Sequence, residues 1–160
     1  MHILVAFGSE RHGTAGLATM IGDALRDLGH DVLVAPAKEV RRPEGVDAVI
    51  VAGALYANRW HRDARRFVKR NRKLLQDLPV WLVSSGPLDD SAEQRDIPPT
   101  RQVQKLAALV GARGHVTFGG RLAPDAKGFP ASAMAKTKSG DWRDAAHVQQ
   151  WAKTVADELG

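Results

Sequence analysis

Cysteine is absent from the 160 residues, which excludes disulfides, thiolate metal ligation and thiol catalysis. Aromatic residues are scarce at 6%, and Tyr56 is the single tyrosine. No apolar run approaches the ~20 residues that span a bilayer. No charged-plus-apolar leader precedes the first apolar run, so the expectation is a soluble, cytoplasmic chain. Gly-Lys-Ser/Thr does not occur, which excludes a Walker loop, and Gly8, Gly13 and Gly16 do not have the Gly-x-Gly-x-x-Gly spacing. His2, His12, His30, His61, His115 and His147 are scattered without metal-ligand spacing, and no metal site is expected. Ser85 does not lie in Gly-x-Ser-x-Gly, which disfavours a nucleophile elbow. Asp89 and Asp90 read as loop acids or caps, since nothing else points to paired catalytic carboxylates.

What the sequence does contain is cationic charge in one place. The chain carries a net +5. Between Arg59 and Lys73 stand eight Lys/Arg (Arg59, Arg62, Arg65, Arg66, Lys69, Arg70, Arg72, Lys73) and the one acid Asp63, so the remainder is net −2. Cations on a helix face are most often merely solvated. Their concentration also suits an acidic redox partner, an anionic substrate or an anionic lipid surface. Nucleic acid is not favoured.

The apolar pattern alternates between strand and helix periods. Ile3-Leu4-Val5-Ala6-Phe7 is a strand-length run, followed by the polar, glycine-punctuated Gly8-Ser9-Glu10-Arg11-His12-Gly13. From Thr14, the apolar residues Leu17, Ala18, Ile21, Leu25 and Leu28 recur at helical steps, and Gly29 supplies the stop. Further strands are expected over 32–35, 48–52, 80–83 and 115–118. Helices are expected over 59–78, 100–110 and 144–159, with a short one at 129–135. This alternation implies a single α/β domain over 1–160, a doubly wound five-stranded parallel sheet with helices on both faces. Such sheets bind ligands beyond the carboxyl ends of their strands, where strand order reverses. The first strand–loop–helix turn there suits a phosphate, because a helix N-terminus offers unpaired N–H groups and partial positive charge. Three loops converge on that rim: 9–14, 54–58 and 84–88.

On these loops the chain resembles the flavodoxin family along nearly all its length. Ser9 and Thr14 stand at the separation of that family's phosphate loop. The resemblance implies strand order 2-1-3-4-5 and FMN as cofactor. It places the phosphate at Ser9, Arg11, His12, Gly13 and Thr14, and the flavin ring between Ala54-Leu55-Tyr56-Ala57-Asn58 and Ser85-Gly86-Pro87-Leu88. Tyr56 is expected against the ring face, with the flavin itself as the redox group. His12 stands where the family usually has glycine. Tyr56-Ala57-Asn58-Arg59-Trp60, Ala64-Arg65-Arg66-Phe67, Ser84-Ser85-Gly86-Pro87-Leu88 and Gly140-Asp141-Trp142-Arg143-Asp144 are similar to a bacterial branch that includes the menaquinone-dependent protoporphyrinogen dehydrogenases. That likeness implies an FMN-dependent, quinone-linked oxidoreductase of heme biosynthesis, with peripheral contact at the inner face of the membrane. The segment 122–138 is shorter and less apolar than the corresponding insertion in those enzymes. Two alternatives stay open: an electron carrier without its own substrate, and a flavin-free binding module that uses the basic helix. In either case docking falls to Arg59, Arg62, Arg65, Arg66, Lys69, Arg70 and Lys73.

Overall fold

The computed structural model describes residues 1–8, 12–56, 59–85, 100–118 and 146–159, with backbone alone at 12, 13 and 56. In chain order the elements are β1 (His2–Gly8), α1 (His12–Asp27), β2 (Asp31–Pro36), a 3-10 turn (Ala37–Glu39), β3 (Ala48–Tyr56), β4 (Arg59–Trp60), α2 (Arg62–Arg70), α3 (Arg72–Leu75), β5 (Val80–Ser85), α4 (Arg101–Val110), β6 (Gly114–Phe118) and α5 (146–159).

Five strands run parallel in the order β2-β1-β3-β5-β6, and β4 pairs antiparallel with β3 at its end. Counted among parallel strands alone, this is the expected 2-1-3-4-5. The expectation did not include β4.

The apolar runs are continuous because both sheet faces are covered, and successive side chains point to opposite layers. Ile3 and Val5 of β1, Ile50 of β3 and Val83 of β5 pack with Leu17, Ile21 and Leu25 of α1 and with Val148 and Val155 of α5. Leu4, Val49, Val51 and Leu82 face the other way, onto Phe67 and Val68 of α2, Leu75 of α3 and Val103 and Leu106 of α4.

Glycine ends two helices, at Gly29 as expected and at Gly111 as well. Gly29 (φ 94°) follows α1 and Gly111 (φ 64°) follows α4, each left-handed and so suited to a residue without Cβ. Thr100 caps α4 by accepting from the Val103 N–H.

Four expectations need correction. Leu28, expected to continue the helical period, lies beyond α1, which ends at Asp27, and is 45% exposed. The helix expected over 59–78 begins at Arg62, because Arg59 and Trp60 pair with Tyr56 and Leu55. It also breaks at Asn71, whose side-chain amide donates to the Phe67 carbonyl. Finally, Ala54, Leu55 and Tyr56 belong to β3 and not to a loop, and β5 likewise extends through Ser85. The helix expected at 129–135 and the segment 122–138 lie outside the described residues.

Candidate functional site

The parallel register brings the strand ends to one rim. Gly8 of β1 lies opposite Gly53 of β3, Gly53 opposite Ser84 of β5, and Ala54 opposite Ser85. The chain passes from Gly8 to His12, the first residue of α1, in three residues, so α1 begins at this rim. α1 has no acidic residue in its first turn. Its unpaired N–H groups and positive dipole end therefore meet no carboxylate from that turn, which suits an anion. Thr14, in that first turn, is only 2% exposed.

Two glycines set how closely the layers approach here. A Cβ on Gly8 would stand 2.6 Å from the Ala64 backbone nitrogen, so α2 lies directly against the end of β1. A Cβ on Gly53 would stand 2.8 Å from carbons of the Trp60 indole, so the buried ring lies flush on β3.

The end of β3 is folded back on itself. Leu55 pairs with Trp60 and Tyr56 with Arg59, and the His61 N–H donates to the Ala54 carbonyl at 2.8 Å. His61 then starts α2, its Nδ1 accepting from the Asp63 N–H at 3.1 Å. The Trp60 N–H donates to Gln102 Oε1 of α4 at 2.7 Å. The Trp60 indole N–H donates to Ser84 Oγ at 3.0 Å, and Ser84 Oγ lies 2.9 Å from His115 Nε2. Burial lowers the His115 pKa from 6.5 to about 4, so the ring is neutral at ordinary pH.

Of the residues expected to form the site, the structure brings together the backbone of His12 and Gly13 with Thr14, Ala54, Leu55, the backbone of Tyr56, and Ser85, all on the carboxyl rim. Ala54 is buried; Leu55 and Ser85 are half-buried. Ser9, Arg11, Ala57, Asn58, Gly86, Pro87, Leu88 and the Tyr56 side chain lie outside the described residues. Of the docking cations, Arg59, Arg62, Arg66, Lys69, Arg70 and Lys73 are exposed. Arg65 differs: it is half-buried, and its Nε finds no hydrogen-bond partner among the described residues. Nothing in the sequence joins Trp60 to Ser84, Gln102 or His115, which lie 24 or more residues away. The available signal was Ser84 itself, a hydroxyl directly after the apolar run Val80–Val83, where a strand continued by one residue would bury a polar group that requires a partner.

A family model described as Flavodoxin domain matches residues 4–136. Among solved structures the chain is similar to a flavodoxin of Streptococcus pneumonia TIGR4, at 19% identity and a TM-score of 0.61 over 99% of each chain. It is similar to oxidised Flavodoxin 1 of Bacillus cereus at 12% identity and a TM-score of 0.63 over the whole of both chains (100%). It also matches the rubredoxin oxygen:oxidoreductase of Desulfovibrio gigas at 17% identity and a TM-score of 0.67, spanning 36% of that longer chain. At these identities the likeness to solved structures is one of fold. A comparison with curated proteins finds no match.

Proposed function

The chain belongs to the flavodoxin domain family, and from that premise we propose that it is an FMN-dependent redox protein whose cofactor sits on the carboxyl rim of the sheet. The family implies FMN, and the described residues fit it. The observation that carries the reading is the joint placement of an α1 first turn without an acid, a buried Thr14 and the aligned ends of β1, β3 and β5 on one rim. When bound, FMN supplies the electron-transfer chemistry. The first turn of α1 and Thr14 would hold its phosphate, with Ser9, Arg11, His12 and Gly13. The segments 54–58 and 85–88 would flank the ring, Tyr56 against its face. In the described part of the rim, buried Ala54 and half-buried Leu55 contribute apolar surface that restricts water.

The test is a titration of flavin-free protein with FMN and with riboflavin, followed by quenching of flavin fluorescence. FMN should bind far more tightly. Thr14→Val, which removes one hydroxyl with little change of shape, should weaken FMN by about tenfold and leave riboflavin unchanged. Equal affinity for the two flavins would remove the phosphate site.

For the reaction, the reading is a dehydrogenase of porphyrinogen type coupled to a quinone, supported by the Tyr56–Trp60 motif and by exposed cations that suit a substrate bearing carboxylates. Porphyrin fluorescence should rise when the FMN-loaded protein receives protoporphyrinogen and a menaquinone analogue. A second reading, a flavodoxin-type electron carrier without its own substrate, is supported by the end-to-end match to free-standing flavodoxins. No rise in fluorescence together with rapid exchange of electrons with a protein donor would favour it.

A further inference from the structure

We propose that Ser84 and His115 are positioning residues that clamp the β3–β4 hairpin to the carboxyl rim and thereby set one wall of the flavin pocket. The inference rests on the FMN reading for its consequence, and on described residues for its geometry.

A strand of two residues is too short to hold itself. β4 makes two residue pairs with β3, and an isolated pairing of that length is not stable in water. What anchors it is a chain of side-chain bonds across four elements. Gln102 of α4 accepts the Trp60 backbone N–H at 2.7 Å, while Ser84 of β5 accepts the Trp60 indole N–H at 3.0 Å. His115 of β6 meets the same hydroxyl at 2.9 Å. Trp60 is 2% exposed and Ser84 1% exposed. In such a place a missing partner leaves a buried donor unsatisfied and is more costly than the bond itself is favourable.

The order of donation explains why a histidine is needed behind the serine. The indole N–H occupies one lone pair of Ser84 Oγ, and the hydroxyl hydrogen remains to be directed. A neutral His115 with its proton on Nδ1 offers Nε2 as the acceptor, so donation runs one way from Trp60 through Ser84 to His115. Burial keeps the ring neutral. The chain thus fixes the rotation of the hydroxyl, the hydroxyl fixes the indole, and the indole lies flush on Gly53, where a Cβ would stand within 2.9 Å of three ring carbons. From that anchor the backbone runs through Leu55 and Tyr56, the stretch expected beside the flavin.

The test compares Ser84→Ala, His115→Leu and His115→Gln, the last of which restores a polar atom near the position of Nε2. In flavin-free protein, amide hydrogen exchange at Trp60 and His61 should accelerate by about tenfold in Ser84→Ala and His115→Leu. The amides of β1 should keep their protection. The same two variants should raise the Kd for FMN by about tenfold, and His115→Gln should stay within about threefold of the parent. Unchanged exchange at Trp60 and His61 would overturn the clamp. So would acceleration of the same size throughout β1, which would mean general loss of stability, or an unaltered FMN affinity beside a loosened hairpin. Should the parent protein fail to bind FMN, the cofactor reading falls, while the exchange pattern still decides whether the hairpin is clamped.

Discussion

At His115, burial lowers the pKa from 6.5 to about 4. The native state leaves the ring neutral down to that point, whereas the unfolded chain takes up its proton near 6.5. The unfolded state therefore binds more protons between those values. Stability from this group is complete above pH 6.5 and is lost as pH falls through the window to about 4. A shift of that size corresponds to at most about 3 kcal/mol, which the partial exposure of the ring reduces to the order of 1–2 kcal/mol. Urea midpoints measured at pH 7 and pH 5 should differ less in His115→Gln than in the parent. An equal difference in both would exclude a contribution from this ring. Little of this was legible in the sequence. A histidine in a short strand has no periodicity of its own, and its partner Ser84 lies 31 residues upstream.

At the scale of elements, legibility followed the physics that each element depends on. Strands buried on both faces read directly, since a continuous run such as Ala48–Ala52 needs no knowledge of its neighbours. Helix ends also read well where glycine marked them. Gly29 and Gly111 both take positive φ, at 94° and 64°. Two glycines should answer oppositely to alanine. Gly111→Ala meets open space but retains φ 64°, so it should lower stability by about 1 kcal/mol. Gly16→Ala, in α1 with nothing within 4 Å of its new methyl group, should raise stability by about 0.5–1 kcal/mol. Thermal unfolding of the two variants tests the pair, and a shift of the same sign in both would contradict it. What did not read was β4. Arg59 and Trp60 continue the helical period of α2, and only tertiary partners turn them into a strand: Leu55, Gln102 and Ser84. The candidate site was legible as a rim but not as contacts, because loops meeting at strand ends follow from topology, whereas the groups behind them follow from packing.

For the whole molecule, the clearest property is asymmetry of charge. Seven cations of segment 59–73 are exposed (Arg59, Arg62, Arg66, Lys69, Arg70, Arg72 and Lys73), starting within β4 and continuing along α2 and α3. A partner drawn to Arg59 and Arg62, which follow the end of β3, would be held close to the rim. Reversing three of the charges together (Arg62→Glu, Arg66→Glu and Lys69→Glu) should slow association with an anionic partner by tenfold or more, on the order of electrostatic steering effects. It should also flatten the dependence of that rate on salt, since exposed charges are screened beyond ~10 Å at 0.1 M. Stopped-flow mixing at two ionic strengths reads both effects, and a rate indifferent to salt in the parent would remove this face from docking. Among the described residues no helix is long and apolar enough to cross a membrane.

The sheet order also governs how the chain can be assembled as it is made. Among the strands of this sheet β1 is made before the others yet lies between β2 and β3, so it is the strand that both of the next two need. Three adjacent strands and α1 are complete before β5 has been synthesised, and growth then proceeds outward from that nucleus in one direction only. The amino-terminal third can therefore template the rest, and the last helix closes the face that α1 opened.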